Sequence, residues 1–211
     1  ITSVNITPYQ SGAGWLTGST FELCVVDETF NKDQSGDGEL ILASDGNFTV
    51  ASISAADGDL VCIGNVRADH AVNNDVVYVA MNGDTTQANY PLELIYAAHG
   101  TGSPTLAAGA ASGRPDVGIC NAASVSDTNA FSPFVVQFPN FSRGSNDRVW
   151  HSMSGAQGSP SYSVLRLFAG RWNNTAAITS LGFYGGGTNL KTNSMLSTYV
   201  VPKNLIERQE L

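Results

Sequence analysis

Short runs in which apolar and polar residues alternate recur along the chain, with turn residues between them, the pattern of half-buried strands. Residues 20–29 (TFELCVVDET) set Phe21, Leu23 and Val25 against Glu22 and Cys24, and the polar run 31–38 (NKDQSGDG) reads as a turn. Residues 39–43 and 47–54 predict a hairpin across Ser44-Asp45-Gly46. Two longer strands follow at 59–67 and 75–81, while 90–97 (YPLELIYA) fits either a strand or a short helix. Residues 99–114 hold Gly, Ser, Ala, Thr and Pro with little to bury, and predict an exposed loop. Strands are then expected at 116–121, 131–138, 148–153, 162–169, 177–184 and 195–201. Within the segment 171–190 the pattern predicts a β-hairpin. Trp172, Ala177, Ile178, Leu181 and Phe183 supply its buried face, and Asn173, Asn174, Thr175 and Thr179 shape its turn.

About ten short strands imply an all-β protein, an antiparallel β-sandwich or jelly roll with extended terminal arms. The expected organisation is an N-terminal arm at 1–14, a sandwich at 15–201 and a charged, mildly helical tail at 202–211. Composition supports this. Only 13% of the 211 residues are charged and 22 are glycine, which suits strands and turns and disfavours long helices.

Charge and cysteine content narrow the function classes. With 10 basic against 18 acidic residues the net charge is −8, and no basic patch is present to neutralise phosphates, so neither nucleic acid nor an anionic membrane is an expected partner. No run reaches the length of a membrane-crossing helix. Cys24, Cys62 and Cys120 are far apart and odd in number; the expected state is buried free thiols, with a disulfide as the alternative.

Candidate chemistry is sparse. Asp33, Ser35 and Asp37 begin like a calcium loop, but the twelfth position, where a bidentate Glu belongs, is Ser44; a polar turn is the favoured reading, with a calcium ion assisted by Asp45 as the lesser one. His70, His99 and His151 have no metal-ligand spacing, and neither HExxH nor GxSxG occurs. No carboxylate pair stands out as an acid–base couple. The expectation is a protein that is not an enzyme and carries no cofactor.

Several motifs occur in an order that resembles a family of jelly-roll virion proteins of tailed bacteriophages. A Val-rich strand ends in Asn82-Gly83-Asp84, followed by Asn89 and Tyr90, with His99 beyond. FSPFVVQFPNF at 131–141 matches an apolar strand running into a Pro-aromatic turn, and a strand with Ser-Gly follows at 149–155. Trp172, Asn174, Thr175, Ala177, Ile178, Thr179 and Ser180 match a Trp-x-Asn-Thr-x-Ala-Ile-Thr-Ser segment, and SMLSTYVV at 194–201 matches a terminal strand, with Val200 in place of a glycine. The resemblance covers roughly residues 59–201 and implies a structural virion protein without specifying a site. In it, Asn82, Gly83, Asp84, Trp172, Asn174 and Thr175 are expected to be structural turn residues.

The absence of a heptad stalk and the acidic exterior favour a capsid decoration (cement) protein on the outer capsid surface. Its partners would be the major capsid protein and copies of itself, as a homotrimer. The two ends would be the clamps: Thr2, Val4, Ile6, Pro8 and Tyr9 on one side, and Lys203, Leu205, Ile206 and Arg208 on the other. The alternative is a tail-associated knob that recognises a host surface glycan, with Tyr9, Trp15, Tyr96, Trp150 and Tyr184 as the aromatic candidates.

Overall fold

The computed structural model describes residues 39–53, 57–98, 105–107, 115–123, 129–159 and 162–202. Twelve strands among these residues form two antiparallel sheets that pack face to face: β1 (Glu39–Ile41), β2 (Phe48–Val50), β3 (Gly58–Val66), β4 (Asn74–Met81), β5 (Leu92–Ala98), β6 (Thr105–Ala107), β7 (Asp116–Asn121), β8 (Ser132–Phe138), β9 (Arg148–Ser159), β10 (Tyr162–Trp172), β11 (Leu181–Gly185) and β12 (Met195–Pro202). The larger sheet has the order β1-β12-β3-β8-β9-β10-β5-β6, and the smaller the order β2-β11-β4-β7.

Period-two alternation decides which side chains enter the core. On β3, Leu60, Cys62 and Val66 point inward; on β8, Ser132, Phe134, Val136 and Phe138 do so. The smaller sheet answers with Phe48, Val77, Val79, Met81, Leu181 and Phe183, all buried in one cluster with them. Burial on this scale is the main favourable term in folding, at roughly 25 cal/mol per Å2 of apolar surface.

The edge strand β7 is buried along its whole length. Two of its amides are satisfied from the opposite sheet: Ile119 N donates to Ser154 Oγ at 2.9 Å, and Asn121 N donates to Ser132 Oγ at 2.9 Å. Hydroxyls inside the core thus seal an edge that would otherwise bury unpaired donors. Aromatic rings close the gaps left by glycine. Trp150 lies over its cross-strand neighbour Gly170, and Phe134 over Gly64, so that a Cβ at either glycine would fall inside the ring.

Four expectations change. Residues 39–53 do not make a hairpin: β1 pairs with β12 in the larger sheet and β2 with β11 in the smaller one. Asp45 turns the chain between the sheets through long-range partners instead. Its carboxylate accepts from Lys191 Nζ and from Thr192 N, both at 2.9 Å, and Gly46 pairs with Leu190. The segment after Trp172 is likewise a crossing and not a hairpin, since Trp172 ends β10 in one sheet and Leu181 begins β11 in the other. Residues 105–107 of the expected loop form β6 and pair with β5. The ambiguous segment 90–97 resolves as the strand β5, because its alternation matches the register with β10. Strand β12 runs through Pro202, the first residue assigned to the tail.

Cys62 and Cys120 are buried and free, and burial pushes both thiols up to about 12. In the native protein they should stay unalkylated at pH 8 and react fully in denaturant, read by peptide mass spectrometry. Gly170→Ala should lower stability by about 1–3 kcal/mol, through displacement of the Trp150 ring, in a urea melt.

Candidate functional site

The two most distinctive motifs meet at one place. After β4, Asn82 and Gly83 both adopt positive φ (51° and 73°), the conformation of a tight turn of the primed type, and Asp84 N closes it on Met81 O at 2.9 Å. The turn aims the Asp84 carboxylate at three donors: Trp172 Nε1 at 2.7 Å, Asn89 Nδ2 at 2.8 Å and Thr86 N at 2.8 Å. The Asp84 carbonyl accepts from Tyr90 Oη at 2.8 Å, and that oxygen in turn accepts from Met81 N at 3.2 Å. The Tyr90 and Trp172 rings stack at 6.4 Å, and both are buried. Strand β4 of the smaller sheet and the end of β10 in the larger one are therefore joined through one carboxylate.

Asn82 holds the crossing segment beside it. Its Oδ1 accepts from Thr179 N at 2.8 Å and Ser180 N at 3.1 Å, and its Nδ2 donates to Ala177 O at 2.8 Å. Asn174 Oδ1 accepts from Ala176 N at 2.9 Å, a local Asx turn. The buried Arg148 guanidinium donates to the carbonyls of Thr175, Ala176 and Asn140 at 2.8, 3.0 and 3.2 Å. Burial pulls the Arg148 pKa below its usual value, with the Asp147 carboxylate acting in the opposite direction. The six expected turn residues thus converge, while the role of Arg148 carries no motif and its only sequence signal is a cation at a core-facing position.

Other candidates separate. Thr2, Val4, Ile6, Pro8, Tyr9, Trp15, Asp33, Ser35, Asp37, His99, Lys203, Leu205, Ile206 and Arg208 lie outside the described residues. Asp45 is engaged with Lys191 and Thr192 as above. His151 Nε2 lies 3.0 Å from Gln137 Oε1, and His70 Nδ1 lies 3.4 Å from Asp75 Oδ2. Of the aromatic candidates, Trp150 is buried in the core, edge-on to Tyr90, and offers no platform to a ligand. Tyr96 lies beneath the Arg166 guanidinium at 5.7 Å, and Tyr184 stacks on Tyr78 at 5.0 Å on the smaller sheet.

The outer face of the larger sheet presents a different kind of feature. Ile63, Val135, Met153, Leu167 and Ile95 are direct cross-strand neighbours on β3, β8, β9, β10 and β5, forming one row across five strands. Each is 37–52% exposed. One row further along, Leu165, Met195 and Ile41 are also exposed, with Asn65, Pro133, Gly155 and Ala97 among them. On the other side the neighbouring row is Val61, Gln137, His151, Ala169 and Glu93, where Gln137 is tied to both His151 and Asp59. An antiparallel sheet with one solvated face normally shows polar residues there; large apolar side chains in register are a face made for covering. The sequence carries the signal as nearly continuous apolar runs, such as FVVQF and VLRLFA, in place of strict alternation.

The fold and this geometry define a two-sheet antiparallel β-sandwich with a polar clamp between its sheets and an apolar outer face. Comparison with family models, with curated proteins and with solved structures finds no match to the chain.

Burial raises the Asp84 pKa, but the donors Trp172, Asn89 and Thr86 outweigh it and leave the carboxyl below its ordinary value of 3.8. Asp45 is lowered to about 2, chiefly by Lys191 and the Thr192 amide. A depressed folded-state pKa gives stability that is full above the unfolded value and lost as pH falls through the folded one. Thermal midpoints should therefore drop below pH 3.8, and Asp84→Asn should start lower at neutral pH yet fall less steeply in acid. Trp172→Phe, which removes one donor to the carboxylate, should cost about 1–3 kcal/mol in denaturant melts.

Proposed function

We propose that the chain is a non-enzymatic structural component of a tailed-bacteriophage virion, a jelly-roll-type capsid decoration protein that binds the outer shell and stabilises the head. The observation that carries this reading is the row Ile63, Val135, Met153, Leu167 and Ile95, an apolar sheet face of the kind that protein covers in an assembled particle. The clamp at Asp84 is consistent with it: the described residues of the resemblance lock two sheets together. The partners are the major capsid protein and further copies of the chain. Stabilisation follows from mass action, since a protein that binds the assembled lattice and not its separated subunits shifts the equilibrium toward the lattice.

The stacked, half-buried Tyr78–Tyr184 pair favours a second reading, a tail-associated knob that holds a host glycan against aromatic rings. Quantitative mass spectrometry of purified virions separates the two. A copy number that matches the shell lattice is expected for decoration, whereas one that matches a tail or vertex assigns the chain to the knob. Absence from purified particles would overturn both.

A further inference from the structure

The apolar row across the larger sheet also constrains what covers it. We propose that this face is the interface between two copies of the chain, packed sheet on sheet about a two-fold axis that runs along β9; this rests on the reading of the protein as an assembly component.

The argument begins with register. An axis along β9 leaves β9 facing its own counterpart and exchanges β10 with β8 and β5 with β3, because these strands flank β9 in that order. Met153 then faces the partner's Met153, Leu167 faces the partner's Val135, and Ile95 faces the partner's Ile63. The row is close to palindromic in side-chain size, with isoleucine at both ends and the adaptable methionine at the centre. Such a row is complementary to itself. In the next row Glu93 falls against the partner's Val61 and not against another acid. Aligned sheet packing turns the two sets of strands by about 30°, which spreads each contact over adjacent side chains while the apolar rows of the two copies still cross at the Met153 pair.

Size supports a stable pair. Five strands about 4.8 Å apart, and three side-chain rows about 6.8 Å apart, make a face of roughly 24 Å by 20 Å, on the order of 500 Å2 in plan. The accessible surface of a pleated face exceeds its plan. The total approaches the roughly 800 Å2 per partner of a standard stable interface. A two-fold pair differs from the homotrimer expected from sequence.

Light scattering on the purified full chain tests the idea. The expected mass is twice the 22.1 kDa of one chain, falling to the single-chain value in Met153→Lys and in Leu167→Lys, each with an unchanged circular dichroism spectrum. Should a lysine variant fail to fold, Met153→Cys provides the second arm. A short bis-methanethiosulfonate reagent, long enough to span the roughly 10 Å between packed sheets, should link it into a covalent pair that dithiothreitol releases, while Thr49→Cys, exposed on the smaller sheet, should not be linked. A single-chain mass for the unaltered protein at every concentration, a three-chain mass, or a pair that ignores the lysines and yields no Met153→Cys crosslink would overturn it. The occupant of the face would then be the chain's own outlying residues or a different protein. If the virion copy number still matched the shell, the assembly reading would stand and only the partner would be wrong.

Discussion

The hydrogen bond from the Trp172 indole to the Asp84 carboxylate is the constraint on which the two-sheet arrangement depends. Its partners lie 88 positions apart in sequence, in the turn that follows β4 and at the end of β10, so it ties one sheet to the other and not only a local turn. Asn82 and Gly83 provide the left-handed backbone that points the carboxylate inward, and Tyr90 and Asn89 close the space around it. A carboxylate with donors on both of its oxygens holds its charge comfortably in a partly buried place. Arg148 does the complementary work nearby, by holding three carbonyls of chain segments that belong to neither sheet.

Unequal sheets have a consequence for the surface. Four strands cover the middle of eight: β7 packs on β8, β9 and β10, and β4 reaches β9. The inner face of the larger sheet meets the core there, while its outer face carries a second set of large apolar side chains. A sheet that is apolar on both sides is suited to a middle layer, with a partner on each face. The smaller sheet is one partner, and the second copy proposed above would be the other.

Much of the strand pattern was legible from alternation alone. The segments 116–121 and 195–201 coincide with or nearly match β7 and β12, and 59–67 and 131–138 lie within a residue of β3 and β8. The misplaced elements have a common cause. Ser44-Asp45-Gly46 and Asn173-Asn174-Thr175 have the composition of hairpin turns, yet their geometry is set by Lys191, Thr192, Arg148 and Asn82, which lie far away in sequence. Turn chemistry reports that the chain bends and says nothing of which sheet it enters next. The clamp was half legible: the motif residues were singled out as turn formers, but a hydrogen bond between Asp84 and Trp172 has no local signature. The outer apolar row was present in the runs of unbroken hydrophobicity, which alternation arguments treat as noise around a buried strand.

The pairing of β1 with β12 bears on the route by which the chain reaches this structure. Glu39 sits opposite Ser197, so the sheet edge forms only when segments near opposite ends of the described chain have found each other. Within the run β8, β9 and β10 no such search is needed, because β9 pairs with β8 and β10 with β9 across short connections. Loop-closure entropy therefore orders events, with a central meander early and the β1–β12 edge late. A nascent chain would expose the outer row of that meander before its edges are in place, and the kinetics of assembly would compete directly with those of folding.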